Sequence, residues 1–320
     1  FLGYEAGKND DKSDNYNTAV GHQALYSNTT GFYNTTQGYK SLYTNSGSHN
    51  TAQGHNSLYS NTTGGHNTAI GIESLSNNTT GTQNTAVGSF SLQANTTGAD
   101  NTATGRGSLR SNTTGNYNIA TGYYSLYSNT TGNYNTATGY QSLYSNTTGT
   151  YNIAVGHRAG RYQSDDSTNP SGSNSVYIGY NTKASGSVDA ETNQIVIGSE
   201  AIGIGSNTVV LGNDSITTTA LKGNVGIGTT TPSQKLTISG SISASGALYL
   251  DGKLYDVNNA AGSSGQILSS TGTGVDWINA STASVDGTGT ANYISRWVDG
   301  DTITTSSLYE TGSKVGIGTT

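Results

Sequence analysis

Ser and Thr hydroxyls abound in these 320 residues, but only five His and 19 Asp plus Glu could activate one as a nucleophile or ligate a metal. There is no Cys, which removes thiol nucleophiles, disulfides and zinc knuckles. No nucleophile and base, paired carboxylates or metal-ligand spacing stand out, so no catalytic residue, metal or cofactor is expected and the chain reads as a non-enzyme. The five histidines are His22, His49, His55, His66 and His157. His49 and His66 fill the same place in consecutive copies of a repeat, which would bring them within about 5 Å of one another. A metal site shared between chains is conceivable there, but a solvated polar ladder is favoured, because Tyr33 and Gln83 fill the same place in neighbouring copies. Gly203-Ile204-Gly205 and Gly226-Ile227-Gly228 lack the third glycine and the helix of a phosphate loop and read as turns. Asp10, Asp11 and Asp14 lie in an acidic loop without the spacing of a known calcium loop.

Asparagine and tyrosine carry stronger signals. Asn28, Asn61, Asn78, Asn95, Asn112, Asn129 and Asn146 each open an Asn-Thr-Thr sequon. The favoured reading is a corner Asn with Thr caps, and glycosylation is the alternative. Tyr occurs 22 times and falls into columns, such as Tyr26, Tyr43 and Tyr59, or Tyr117, Tyr134 and Tyr151. Flat aromatic faces suit sugar rings, which makes Tyr26, Tyr43, Tyr127 and Tyr144 candidate glycan contacts, with packing between chains the competing role.

A tandem repeat must position these residues. Asn-Thr-Ala-x-Gly motifs begin at Asn17, Asn34, Asn50, Asn67, Asn84, Asn101, Asn118, Asn135 and Asn152, spaced by 17 residues except for one spacing of 16. Leu25, Leu42, Leu58, Leu75, Leu92, Leu109, Leu126 and Leu143 fill one place in successive copies, and Ala fills the third place except at Thr36. Two glycines and Asn-Thr-Thr-Gly in each unit exclude a helix. The pattern predicts two short strands per unit, each unit one rung of a parallel β-solenoid. Rungs about 4.8 Å apart place like residues above one another, so nine would span roughly 40 Å. Asn28, Asn45, Asn61 and their successors then form a hydrogen-bonded ladder, and the glycine after each Asn-Thr-Thr is expected to supply a positive backbone angle at the corner.

Composition bounds the assembly. Hydrophobic residues make up 31% and charged residues 10%, too little for a conventional large-cored enzyme domain. A net charge of -6, with 13 Lys plus Arg and no basic cluster, argues against a nucleic-acid partner. No stretch approaches 18 apolar residues, so no membrane insertion is expected. One Leu and one Ala per rung are too few to fill a wide single-chain core. The expectation is a narrow roll assembled as a homotrimer, with the Leu column buried between chains. A chain that opens on Phe1 and closes on Thr320 inside a repeat is expected to be a segment of something longer.

The expected organisation has four parts: a variant rung and acidic loop over 1–16, the 17-residue repeats over 17–162, a second repeat type over 163–223, and a β-rich region over 224–320. The second type reads N-x-[VI]-x-[IL]-G at Asn174–Gly179, Asn193–Gly198 and Asn207–Gly212, the last two 14 residues apart. It is similar to the head repeat of trimeric autotransporter adhesins. That resemblance implies an all-β, left-handed parallel β-roll with three chains around one axis, and it places Val176, Ile178, Ile195, Ile197, Val209 and Leu211 inside. Asn224-Val225-Gly226-Ile227-Gly228-Thr229-Thr230-Thr231-Pro232, echoed from Lys314 to Thr320, resembles the shaft modules of bacteriophage tail fibres. Between the two copies, Gly265-Gln266-Ile267-Leu268, Val275-Asp276-Trp277 and Tyr293–Trp297 read as short strands.

The resemblances imply an elongated trimeric fibre, in first place a phage tail fibre for host attachment, located on the virion. A bacterial cell-surface adhesin or extracellular fibril is the alternative. Its expected partners are copies of itself and a cell-surface glycan or receptor. A third reading, an ice-binding face built on Thr18, Thr35 and Thr51, is weakened where Ile119 and Ile153 interrupt the row.

Overall fold

The computed structural model describes residues 1–10, 15–163, 165, 167–168, 171–186, 191–242, 261–263, 266–270, 275–279, 293–297, 303–311 and 314–317. It divides into two units, Phe1–Ala220 and Leu221–Thr320. Asp11, Asp14 and Asp166 of the acidic loops lie outside the described residues.

The first unit is a parallel β-solenoid. Its strands are Thr18–Val20 (β1), Thr35–Gln37 (β2), Thr51–Gln53 (β3), Thr68–Ile70 (β4), Thr85–Val87 (β5), Thr102–Thr104 (β6), Ile119–Thr121 (β7), Thr136–Thr138 (β8), Ile153–Val155 (β9), Val176–Ile178 (β10), Gln194–Ile197 (β11) and Thr208–Leu211 (β12). They form one 12-stranded sheet in sequence order, and like residues pair, as in Thr18↔Thr35 and Ala52↔Ala69. Each rung of the repeat contributes one strand of three residues, not the two strands expected from the sequence.

The opposite wall is made of turns. Gln23, Leu25 and Tyr33 stand at φ of 53°, 55° and 57°, and the corresponding residues of later rungs do the same. A left-handed L-residue costs about 1–2 kcal/mol. Here the cost is offset because each of these residues donates its amide to an adjacent rung: Leu25 N to Ser41 O at 2.9 Å, Gln23 N to Tyr4 O at 2.8 Å and Tyr33 N to Asn15 O at 2.8 Å.

The middle residue of each strand points inward, as strand periodicity requires. Ala19, Ala52, Ala69 and their successors are buried and form one continuous cluster with the Leu column. Leu25, Leu42, Leu58, Leu75, Leu92, Leu109, Leu126 and Leu143 are each at most 1% exposed within a single chain. The expectation that a second chain must cover the Leu column is therefore corrected. The rung is narrow enough that Ala on one wall, Leu on the other and Asn at the corners close the lumen. Thr36, in the Ala column, gives its hydroxyl to Ser41 Oγ and so remains satisfied inside.

The inward register of the second repeat type is also corrected. Ala154 pairs with Tyr177, Tyr177 with Val196 and Val196 with Val210, so the inward column continues through these residues. Ile178, Ile197, Val209 and Leu211 face outward at 38%, 36%, 60% and 54% exposure, and Val176 and Ile195 are half-buried. Register is counted from the glycine rather than the asparagine. From Gly21 to Gly198 the glycines of this column have φ of 126° to 148°, and a Cβ on Gly21 would collide with the carbonyl of Gly38 in the next rung. That column cannot shift. Counting back from Gly179, Ser175 takes the place of Asn152, and Asn174 takes the left-handed place of Tyr151.

The corner glycine differs from expectation as well: Gly31 is absent from the positive-φ residues, and glycine is required because a Cβ would strike Asn28 Oδ1 and the Gly47 carbonyl.

The second unit is also built of strands. Val225–Ile227 (β13) and Leu236–Ile238 (β14) form a parallel pair, and Gln266–Ser270 (β15) and Val275–Asn279 (β16) an antiparallel one. Tyr293–Trp297 (β17), Ile303–Thr311 (β18) and Lys314–Ile317 (β19) form an antiparallel sheet. The strands expected around Gln266, Val275 and Tyr293 are all present. No helix among the described residues is long and apolar enough to cross a membrane.

Candidate functional site

The asparagine ladder forms as expected. Asn45 Nδ2 donates to Asn28 Oδ1 at 3.2 Å, and the series continues through Asn61, Asn78, Asn95, Asn112, Asn129 and Asn146 at 2.6–2.9 Å. The same Nδ2 atoms also donate to a glycine carbonyl of their own rung, as Asn95 does to Gly98 O at 2.9 Å. All are buried, at most 1% exposed. An amide nitrogen in this state is closed to a glycan while the rung is folded, which favours the corner reading over glycosylation at Asn28, Asn61, Asn78, Asn95, Asn112, Asn129 and Asn146. The following Thr caps between rungs: Thr79 Oγ1 donates to Thr96 O at 3.0 Å and Thr96 Oγ1 to Thr113 O at 3.0 Å.

A second ladder escaped the sequence reading. The first Asn of each unit uses Oδ1 to accept the backbone amide of its counterpart in the next rung, as Asn84 N to Asn67 Oδ1 and Asn101 N to Asn84 Oδ1 at 3.0 and 3.1 Å. Its Nδ2 crosses the rung to the glycine carbonyl that the other ladder uses, Asn84 Nδ2 to Gly98 O at 2.8 Å. Its signal in the sequence is a regularity equal to that of the Leu, which marks a buried group in need of partners as much as the start of a motif.

The aromatic residues stack outside the core. In the Tyr26 column, Tyr26, Tyr43 and Tyr59 have centroids 5.0 and 5.1 Å apart, and Tyr127 and Tyr144 stack at 5.0 Å with planes 4° apart. A second column holds Tyr123, Tyr140, His157 and Tyr180, and a third holds Tyr117, Tyr134 and Tyr151. Tyr26, Tyr43, Tyr127 and Tyr144, the candidate glycan contacts, are half-buried, whereas Tyr117, Tyr134 and Tyr151 are 47–56% exposed. Stacked rings cover much of each other's faces. What a column offers outward is therefore a row of ring edges and phenol hydroxyls rather than the flat platforms expected. His49 and His66 stack at 4.6 Å beside Tyr33, as a polar ladder would. Among the described residues, no group of three His, Cys, Asp or Glu is placed to hold a metal ion.

Cations close the ends of the Tyr127–Tyr144 stack. Arg110 Cζ lies 5.8 Å from the Tyr127 ring and Arg161 Cζ 4.7 Å from the Tyr144 ring. Arg110 Nη1 reaches Tyr127 Oη at 3.3 Å, and Arg106 Nη1 reaches Tyr123 Oη at 3.3 Å. Burial, followed by the neighbouring Tyr127 phenol, raises the Tyr144 pKa above its ordinary 10.0, and Arg161 opposes the shift. Tyr123 is raised first by its hydrogen bond with Tyr124. At the other end of the solenoid, Lys8 pairs with Glu5 at 2.6 Å, which lowers the carboxyl pKa and raises that of the amine. The linear sequence does not disclose the arginines' role, because they bracket the tyrosines only when four rungs are stacked. Comparison of the chain with protein-family models, curated proteins and solved structures finds no match.

Proposed function

We propose that this chain is a segment of an elongated homotrimeric fibre with a structural and adhesive role, in first place a phage tail fibre that holds a recognition tip away from the virion during host attachment. One observation carries the assembly part of this reading. On β2 and β3 the outward residues are Thr35, Gln37, Thr51 and Gln53, but on β9 to β12 they become aliphatic. Ile153, Val155, Ile178, Ile197, Val209 and Leu211 form an exposed apolar strip 36–60% accessible in one chain. Such a strip marks an interaction surface. Two further copies of the chain, arranged as in the left-handed three-chain rolls that this repeat resembles, would cover it. The trimer contact thus moves from the Leu column to the outer face of the sheet.

The shaft-like motif at Asn224–Pro232 and its echo at Lys314 support the tail-fibre reading over a bacterial surface adhesin or extracellular fibril, the second reading. The expected partners are copies of the chain and a cell-surface glycan or receptor, and the role is not catalytic. Electron microscopy of the intact assembly tests the proposal. A threefold cross-section on a fibre attached to a virion is expected. A fibre anchored in a cell envelope would favour the second reading, and isolated single chains would overturn both.

A further inference from the structure

We propose that the solenoid edge carrying Arg106, Arg110, Tyr127, Tyr144 and Arg161 is a binding track for a carboxylated polysaccharide. The inference rests on the glycan-contact part of the fibre reading and names the class of glycan.

Four of the chain's five arginines, Arg106, Arg110, Arg158 and Arg161, sit on the two rungs that open at Asn101 and Asn152, in a chain whose net charge is -6. None of the four forms an ion pair among the described residues, where the recorded pair is Lys8 with Glu5. One acid is linked to them through a neutral side chain: Gln93 donates to Glu73 Oε2 at 2.6 Å and accepts from Arg110 Nε at 2.7 Å. Arg161 gives Nη1 to Gln141 Oε1, and Arg110 and Arg106 each give Nη1 to a phenol oxygen, whereas the Nε atoms of Arg158 and Arg161 are buried; the outward donors are the remaining terminal nitrogens. The guanidinium groups are therefore oriented by neutral partners and rings, with donor capacity left over. A carboxylate is the acceptor that suits a guanidinium fork.

The order along the axis is Arg110, Tyr127, Tyr144, Arg161, one group per rung, spanning about 14 Å at the usual strand spacing. A pyranose in an extended polymer advances by a length comparable to one rung. Carboxylates at two sugars could thus meet the two guanidinium ends while intervening hydroxyls meet the phenol edges. A nucleic acid fits less well, because single strands need free ring faces to stack on. Here Tyr127 and Tyr144 cover each other and arginines cover both ends.

The test measures binding of the full chain to polygalacturonate, neutral arabinogalactan and single-stranded polycytidylate. The expected result is preferential binding of polygalacturonate, weakened about tenfold by Arg161→Gln or by Arg106→Gln with Arg110→Gln, and weakened again by added salt. Tyr134→Ala, in another column, leaves it unchanged. Circular dichroism confirms folding, and the exposed Arg106→Gln is read alone if the other variants fail to fold. Unaltered binding in the folded arginine variants, or equal binding of polycytidylate, would overturn the proposal. Equal binding of the neutral polymer, lost in Tyr127→Ala, would overturn it while leaving the glycan-contact reading intact. No binding to either polysaccharide would overturn both.

Discussion

A buried carboxamide has to place both its oxygen and its nitrogen, and each rung places two such groups. Asn95 donates to Asn78 Oδ1 and Gly98 O while its own oxygen accepts from Asn112. Truncating it leaves Asn78 Oδ1 and one Asn112 N–H without partners in a buried corner, while Gly98 O keeps the bond from Asn84 Nδ2. Asn95→Ala is therefore expected to destabilise the solenoid by about 2–4 kcal/mol, measured by chemical denaturation. Thr131→Ala, on an exposed corner, should stay within about 0.5 kcal/mol. The tyrosine edge gives a second residue-scale test. Because burial raises the Tyr144 pKa above 10.0 in the folded chain, its contribution to stability is present below that value and is lost as pH rises through the folded pKa. The loss of melting temperature between neutral and strongly alkaline pH should be smaller in Tyr144→Phe than in the parent. At this scale the sequence disclosed the Leu column and one Asn ladder through repetition alone. It hid the left-handed backbone of Leu25, Gln23 and Tyr33, because these side chains ordinarily avoid that region and only the inter-rung hydrogen bonds hold them there.

The rung is the element of this fold, and its glycines set its dimensions. Gly88 stands at φ 132°, and a Cβ there would meet the backbone of Gly105 in the next rung. Gly88→Ala is predicted to cost about 3 kcal/mol or more, since backbone must move against backbone. Hydrogen exchange should show lost protection at β5 and β6, with distant rungs protected as before. The same constraint sets the register of β10 to β12, which differs from the one the sequence suggests. The sequence shows Asn and Gly at both ends of the motif, but only the glycine is fixed by contact with its neighbour. Counting from it makes Tyr177 and Val196 the inward residues. The second expected strand per rung failed for a related reason: with left-handed residues on the Leu wall, the chain bonds between rungs without extending.

In the solenoid unit, each rung touches only its neighbours, so stability is expected to add rung by rung. Deleting residues 50–66, one full rung, would bring Thr35–Gln37 into register with Thr68–Ile70 and keep every column continuous. The shortened protein should retain its circular dichroism spectrum and cooperative melting, whereas removal of residues 50–57 should not. What repetition cannot disclose is how many chains share one core, because the same low apolar content describes a wide shared core and a narrow private one. The buried Leu column selects the narrow core, and the aliphatic outer strip on β9 to β12 then becomes the feature that calls for partners. Sedimentation equilibrium of the full chain beside Val209→Ser/Leu211→Ser tests this most directly. A particle of three times the chain mass that falls to one in the double variant is the predicted result, and a parent protein that sediments as a folded single chain would contradict it.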